Sequence, residues 1–331
     1  MPQKLRLTVA CGDYEIVRAL KEGLVQADGL ELIFLTGMGS REFISRMEQR
    51  SEFDVCEMGV TSCATAYERG ASFTAIPVFL HRRFRHSFIF VSRVAGVVAP
   101  RDLQGRKVGG MIQPAANTWI RGILDEHYGV DLTKVTWVSD HREAAQFGSR
   151  ARFSFQMPAS RQPLEELLAA GEIAALISPS LPKLLLQHDP RIGYLFPNYK
   201  DVEIDYFRKT GIFPIMHLVA VKREIVERYP WVTTNLVKAF EQAKRLSYRR
   251  LINPRIVPLA WYRWASQEQE DILGPDPWAY GLGPANRKNI ETLLRYMLRQ
   301  GLIERAIEVD ALFADYDADS AFASAEDEAG L

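Results

Sequence analysis

The chain has little cysteine: three in 331 residues, Cys11, Cys56 and Cys63, with no CxxC spacing. An odd set of this kind does not read as a disulfide framework and fits reduced thiols in a reducing compartment. It also lacks any excess of charge. Lys+Arg and Asp+Glu both total 41, a formal net charge of +0. That excludes a general binder of nucleic acid or of anionic membranes, while leaving room for a local basic site. No apolar run approaches the length of a membrane span. The first ten residues alternate like a strand and carry no apolar core of signal-peptide length, so a cytoplasmic protein is expected. The motifs GxGxxG, GxxxxGK[ST], HExxH and GxSxG are all missing. Nicotinamide, P-loop, zincin and serine-hydrolase readings lose their main support with them.

What is present is an ordinary globular composition, 47% hydrophobic and 25% charged. The length suits two domains with sizeable cores. Short apolar runs alternate with helical periodicity, which predicts an α/β fold with mixed, mostly parallel sheets. Strands are expected at residues 5–10, 30–35, 53–58, 75–79 and 88–91, all in a first sheet. Helices are expected at 14–26 and 41–49, with another starting near residue 61. Near residue 100 the chain crosses into a second lobe. A helix at 118–128, a strand at 135–138, a helix at 163–170 and a strand at 173–177 belong there. Residues 142–158 show only weak periodicity. A return crossing at 206–215 leads to a first-lobe strand at 216–221. Two long helices follow, one from Pro230 to about residue 250 and one capped by Asn286. The expected division is 1–100 (first lobe), 101–212 (inserted second lobe), 213–314 (return to the first) and an acidic, frayed tail at 315–331. Such a chain is expected to hold its ligand between lobes, at the C-terminal ends of its strands.

Chemistry concentrates at those strand ends. The densest stretch is His81-Arg82-Arg83-Phe84-Arg85-His86-Ser87. Arginine offers a planar fork of donors matched to carboxylates, and histidine moves protons near neutral pH. An anion site with acid–base chemistry is one reading; a solvated basic loop is the other. Asp13 follows the first strand and reads as a helix cap, a cleft carboxylate, or both. Glu57 lies inside an apolar strand, where a carboxylate is rarely buried without a partner. It is either a site residue or half of an ion pair with an arginine. Arg121 opens a mostly apolar helix, as anion ligand or as plain surface. His217, within an apolar run, is a core residue or a site residue. His127, His141 and His188 sit among charges and read as surface. Glu57, His81 and His86 would form a two-histidine, one-carboxylate metal site only if they converged; no metal is assigned. No feature singles out a nucleophilic cysteine.

Several of these segments resemble those of 4,5-dihydroxyphthalate decarboxylases. They are Ala10-Cys11-Gly12-Asp13-Tyr14, Phe84-Arg85-His86-Ser87, Trp119-Ile120-Arg121-Gly122, the block from Asp205 to His217, and Tyr280-Gly281-Leu282 with Asn286-Arg287-Lys288. The resemblance runs from about residue 4 to about residue 313. It implies a two-lobe fold like that of type II periplasmic binding proteins. It also implies conversion of 4,5-dihydroxyphthalate to protocatechuate and carbon dioxide without a cofactor, because the substrate's phenol serves as electron sink. On that basis Arg85 and Arg121, with Arg82 as a further candidate, bind the carboxylates. His86 or His217 protonates the ring carbon, and Asp13 or Glu57 binds or deprotonates the phenol. His81, Gln113 and Asn117 complete the substrate-binding candidates. The loop 109–117 departs from the family pattern, and His81-Arg82-Arg83 is more basic than expected. A related decarboxylase for another aromatic acid is therefore one alternative. A solute-binding protein for an organic acid is the other, since it would share the fold. A homo-oligomer is compatible with the sequence.

Overall fold

The structure is a computed structural model that describes residues 3–139, 151–158 and 162–323. Its strands, in chain order, are β1 (Leu5–Ala10), β2 (Leu30–Leu35), β3 (Val55–Gly59), β4 (Phe73–Arg82), β5 (Ile89–Ser92), β6 (Lys107–Gly109), β7 (Thr136–Val138), β8 (Phe155–Gln156), β9 (Ala175–Ile177), β10 (Ile192–Tyr194) and β11 (Ile215–Lys222). Packing divides the chain into two units. The first comprises residues 1–82, 217–287 and 308–331, the second 83–216 and 288–307.

The first unit is built on the sheet β2-β1-β3-β11-β4. β1 pairs in parallel with β2 and β3, and β11 runs antiparallel to β3. Every residue of β3 is buried, as expected of a strand with a neighbour on each edge and helices on its faces. The helix Trp231–Leu251 packs against the helix Glu15–Lys21. The latter stops well short of residue 26, because Gly23 adopts φ +74° and turns the chain away.

The second unit is built on the sheet β10-β5-β9-β6-β7-β8. β5 pairs antiparallel with both β9 and β10. Residues 88–91 therefore belong to this sheet and not to the first. A wholly apolar run fits the middle of either sheet, and periodicity carries no information on which one. Val108, Ile120, Leu124, Trp137, Leu168 and Ile177 form part of its core, each contributing about 1.5–3 kcal/mol by leaving water. The unit also takes in residues 83–100 and 288–307, which the sequence pattern assigns to the first lobe. Trp119, fully buried, donates Nε1–H to the Ile215 carbonyl at 3.0 Å.

Two further expectations change. The helix Pro284–Gln300 starts ahead of Asn286, so Asn286 is an interior residue and not a cap. The tail is partly ordered: Asp317 caps the helix Ala318–Phe322, which buries Ala321 and packs on Trp231–Leu251. Residues 324–331 of the expected frayed tail, and His141, lie outside the described residues. Among the described residues no helix is long and apolar enough to cross a membrane.

Candidate active site

In the first unit the site is organised around Glu57, 1% exposed in the centre of β3. Antiparallel register pairs Glu57 with Val219 and Gly59 with His217. Glu57 and His217 thus occupy diagonal positions on one face of the sheet, within reach for long side chains. His217 Nδ1 lies 2.5 Å from Glu57 Oε1. The Tyr14 hydroxyl donates to the same oxygen at 2.7 Å, and the Gly12 amide donates to Oε2 at 2.7 Å. Burial pushes the Glu57 carboxyl up. The bonds from His217, Tyr14 and Gly12 outweigh it and hold the carboxyl below its usual range. The partner of this buried carboxylate is therefore a histidine and not an arginine.

Gly12 is required by close approach. A Cβ there would lie 2.7 Å from Cε2 of the Tyr14 ring, which covers this backbone on its way to Glu57. The His81 ring stacks on Tyr14 with centroids 6.3 Å apart and meets His217 edge-on at 5.0 Å. A carboxylate at Nδ1 sets the tautomer and orientation of His217, leaving Nε2 for chemistry. An imidazole held by an orienting carboxylate is a geometry suited to acid–base chemistry.

Other expected residues of this unit lie elsewhere. Asp13 has a 93% exposed side chain and pairs with Lys21 at 2.6 Å. It does not cap the helix, whose N-cap is Tyr14 without a side-chain bond. Arg82 is buried, donating to the Ala279 carbonyl at 2.8 Å and to Asn286 Oδ1 at 2.5 Å. Burial pulls it down to about 10. Its fork is thus used inside the fold. Burial, then the Glu57 charge, pushes the Cys11 thiol up to about 12, which removes it as a nucleophile at neutral pH.

In the second unit Arg85 is 1% exposed. Its Nε approaches Met216 Sδ at 3.2 Å, and its guanidinium lies 4.9 Å from the Phe88 ring centroid. Nη1 has no hydrogen-bond partner among the described residues. Burial, then the charge of Arg83, pulls Arg85 down to about 9. A buried cation facing a thioether and a ring is strongly disposed to take an anion. Its turn is fixed by Glu203, which accepts from the Ser87 amide at 2.9 Å and the Ser87 hydroxyl at 2.8 Å.

His86 points into a box of Tyr128, Phe196 and Tyr206. Neither ring nitrogen finds a partner among the described residues, and burial, then His127, pulls it down to about 4. It is neutral at neutral pH. Arg121 is fully buried and its fork is occupied. It donates to Gln300 Oε1 at 2.7 Å, to the Met111 carbonyl at 3.0 Å and to the Ile112 carbonyl. Asn117 donates to the same Met111 carbonyl at 2.9 Å. These two residues shape the loop 109–117, in which Gln113 is half-buried. Among the described residues no group of three His, Cys, Asp or Glu is arranged to hold a metal ion, so the Glu57–His81–His86 arrangement does not form.

The chain is 31% identical over 326 residues to the 4,5-dihydroxyphthalate decarboxylase of Comamonas testosteroni, covering 94% of this chain and 96% of that protein. The chain belongs to the 4,5-dihydroxyphthalate decarboxylase family. The family's Pseudomonas putida namesake is 32% identical over 215 residues, 62% of this chain and 82% of that protein. A family model described as NMT1/THI5 like matches residues 15–150. In structure, this member of the decarboxylase family is similar to the periplasmic sulfonate-binding protein SsuA of Methylobacillus flagellatus. That likeness has a TM-score of 0.62 at 14% identity, over 98% of this chain and 96% of that one. It is also similar to the periplasmic aliphatic sulphonate-binding protein SsuA of Escherichia coli, with a TM-score of 0.55 at 12% identity, over 95% and 93%. At such identities the likeness is one of fold: the two-lobe, type II periplasmic-binding-protein-like architecture expected from the motifs. Reading the motif Cys11-Gly12-Asp13-Tyr14 for its charge selects Asp13, whereas in the structure Gly12 and Tyr14 serve the site. Glu203 precedes the block beginning at Asp205 and has no local sequence signal at all.

Proposed function

We propose that this protein decarboxylates a hydroxylated aromatic dicarboxylate, 4,5-dihydroxyphthalate, to protocatechuate and carbon dioxide. The observation that carries the reading is near full-length kinship with a curated decarboxylase of that name. The Glu57–His217 pair supplies the chemistry the reaction needs. Each carboxylate of this substrate lies para to a phenol. As the phenolic proton passes to solvent, electron density rises at the carboxylate-bearing carbon. His217, protonated and held by Glu57, gives its proton to that carbon. The bond to the carboxylate then breaks, carbon dioxide leaves, and its electron pair restores the aromatic ring as a phenolate, which takes a proton back from solvent to give protocatechuate. One proton is consumed per carbon dioxide released. His217 fits the acid's role better than His86, whose burial keeps it neutral. Arg85 is the buried cation of the second unit whose chemistry suits a substrate carboxylate. Cytoplasmic residence is part of this proposal; the three cysteines are free thiols, as a reducing compartment keeps them.

Incubation with 4,5-dihydroxyphthalate tests the reading. Protocatechuate and carbon dioxide are expected in equal amounts, with loss of turnover in His217→Asn. Binding without product would overturn it in favour of a solute-binding protein, the role carried by the fold relatives.

A further inference from the structure

The helix Tyr262–Leu273 buries none of its 12 residues within the chain. Large apolar side chains stand exposed on it and just before it: Ile252 (80%), Leu259 (64%), Trp261 (78%) and Trp264 (59%). Two such exposed tryptophans are unusual on a protein surface, where aromatic anchors mark contact sites. The charges around them are ordered along the chain. Arg255 lies before the tryptophans, Glu270 and Asp271 after them and Arg263 between them, and all four are exposed.

We propose that this segment, residues 252–273, is a self-association surface whose occupant is a second copy of the same chain. In a two-fold interface, residue i of one copy meets residue j of the other and the reverse. The string basic–aromatic–acidic is complementary to itself under that operation. An axis near residues 262–263 brings tryptophan against tryptophan and sets Arg255 opposite Glu270 and Asp271. The four apolar side chains offer on the order of 500 Å² per copy. The pair then buries about 1,000 Å², the threshold for a specific interface. An anionic membrane is disfavoured as the occupant, because the acidic half of the helix would be repelled from it.

Light scattering on the full chain after size exclusion tests this. The expected mass is a multiple of the 37.6 kDa chain. Trp261→Ser combined with Trp264→Ser should yield single chains. Arg255→Glu should raise the dissociation constant at least tenfold, and adding Glu270→Arg and Asp271→Arg should restore it. Wild-type protein at the single-chain mass overturns the proposal. So does an oligomer that survives both the tryptophan and the charge-reversal variants, or a single-chain protein that sediments with phosphatidylserine vesicles.

Discussion

Replacing Glu57 by glutamine tests the proposed chemistry most directly. The substitution keeps the volume of a side chain that is 1% exposed and removes only its charge. A glutamine oxygen in the place of Oε1 still accepts from His217 and Tyr14, whereas its NH2 in the place of Oε2 cannot accept from the Gly12 amide. The main loss is the charge-assisted bond to His217, about 1.5–3 kcal/mol. That bond also holds the His217 ring in the orientation proton transfer needs; with a tenfold rate change corresponding to about 1.4 kcal/mol, its loss from the transition state lowers kcat roughly 10- to 150-fold. Stability changes less, because neutralising a buried carboxylate also relieves its desolvation. The linkage sign follows from the lowered Glu57 pKa. Its stabilisation is present above the ordinary carboxylate value of 4.5 and is lost as pH falls through the lower folded value. The variant should lack that part of the acid-limb destabilisation. Steady-state protocatechuate formation across pH, with unfolding measured in parallel, gives both quantities. A folded Glu57→Gln enzyme with wild-type kcat and an unchanged pH profile would refute the role of the pair.

Two further outcomes concern the second unit. His86 falls from its ordinary 6.5 to about 4 by burial. The unfolded chain therefore takes up a proton there below pH 6.5 and the folded chain does not. Stability is full above 6.5, and about 3 kcal/mol of it is lost on falling to pH 4. His86→Phe, which suits the aromatic box, should flatten that loss in denaturant titrations; an equal loss in both proteins refutes the account. Arg85→Met should stabilise the free protein by about 1–4 kcal/mol by removing a buried cation that has no carboxylate in salt-bridge contact among the described residues. The same variant should raise KM sharply. A lower Tm with unchanged KM would mean that Arg85 is structural.

Local pattern made much of this protein legible. The alternation of apolar runs and helical periodicity announced an α/β chain, because burial on one or both faces imposes those periods. Glu57 announced itself as a carboxylate in an apolar strand, and the stretch His81 to Ser87 as a concentration of forks and imidazoles. The sequence motifs pointed to the decarboxylase family and its two-lobe fold. The tertiary structure decided which of these groups are available for chemistry. Arg121 and Arg85 read alike in sequence as candidate carboxylate ligands, one in a mostly apolar helix and the other in a basic stretch. The fork of Arg121 is occupied by the Met111 and Ile112 carbonyls and by Gln300, 179 residues away, whereas Arg85 retains a buried nitrogen without a partner among the described residues. The basic stretch divides in the same way: His81 joins the Glu57 cluster, Arg82 is held by Asn286, and His86 is sealed among aromatic rings. Periodicity records whether a side chain is buried. Which partner satisfies it depends on strand register and loop packing between segments far apart in the chain, and only the folded chain brings those together.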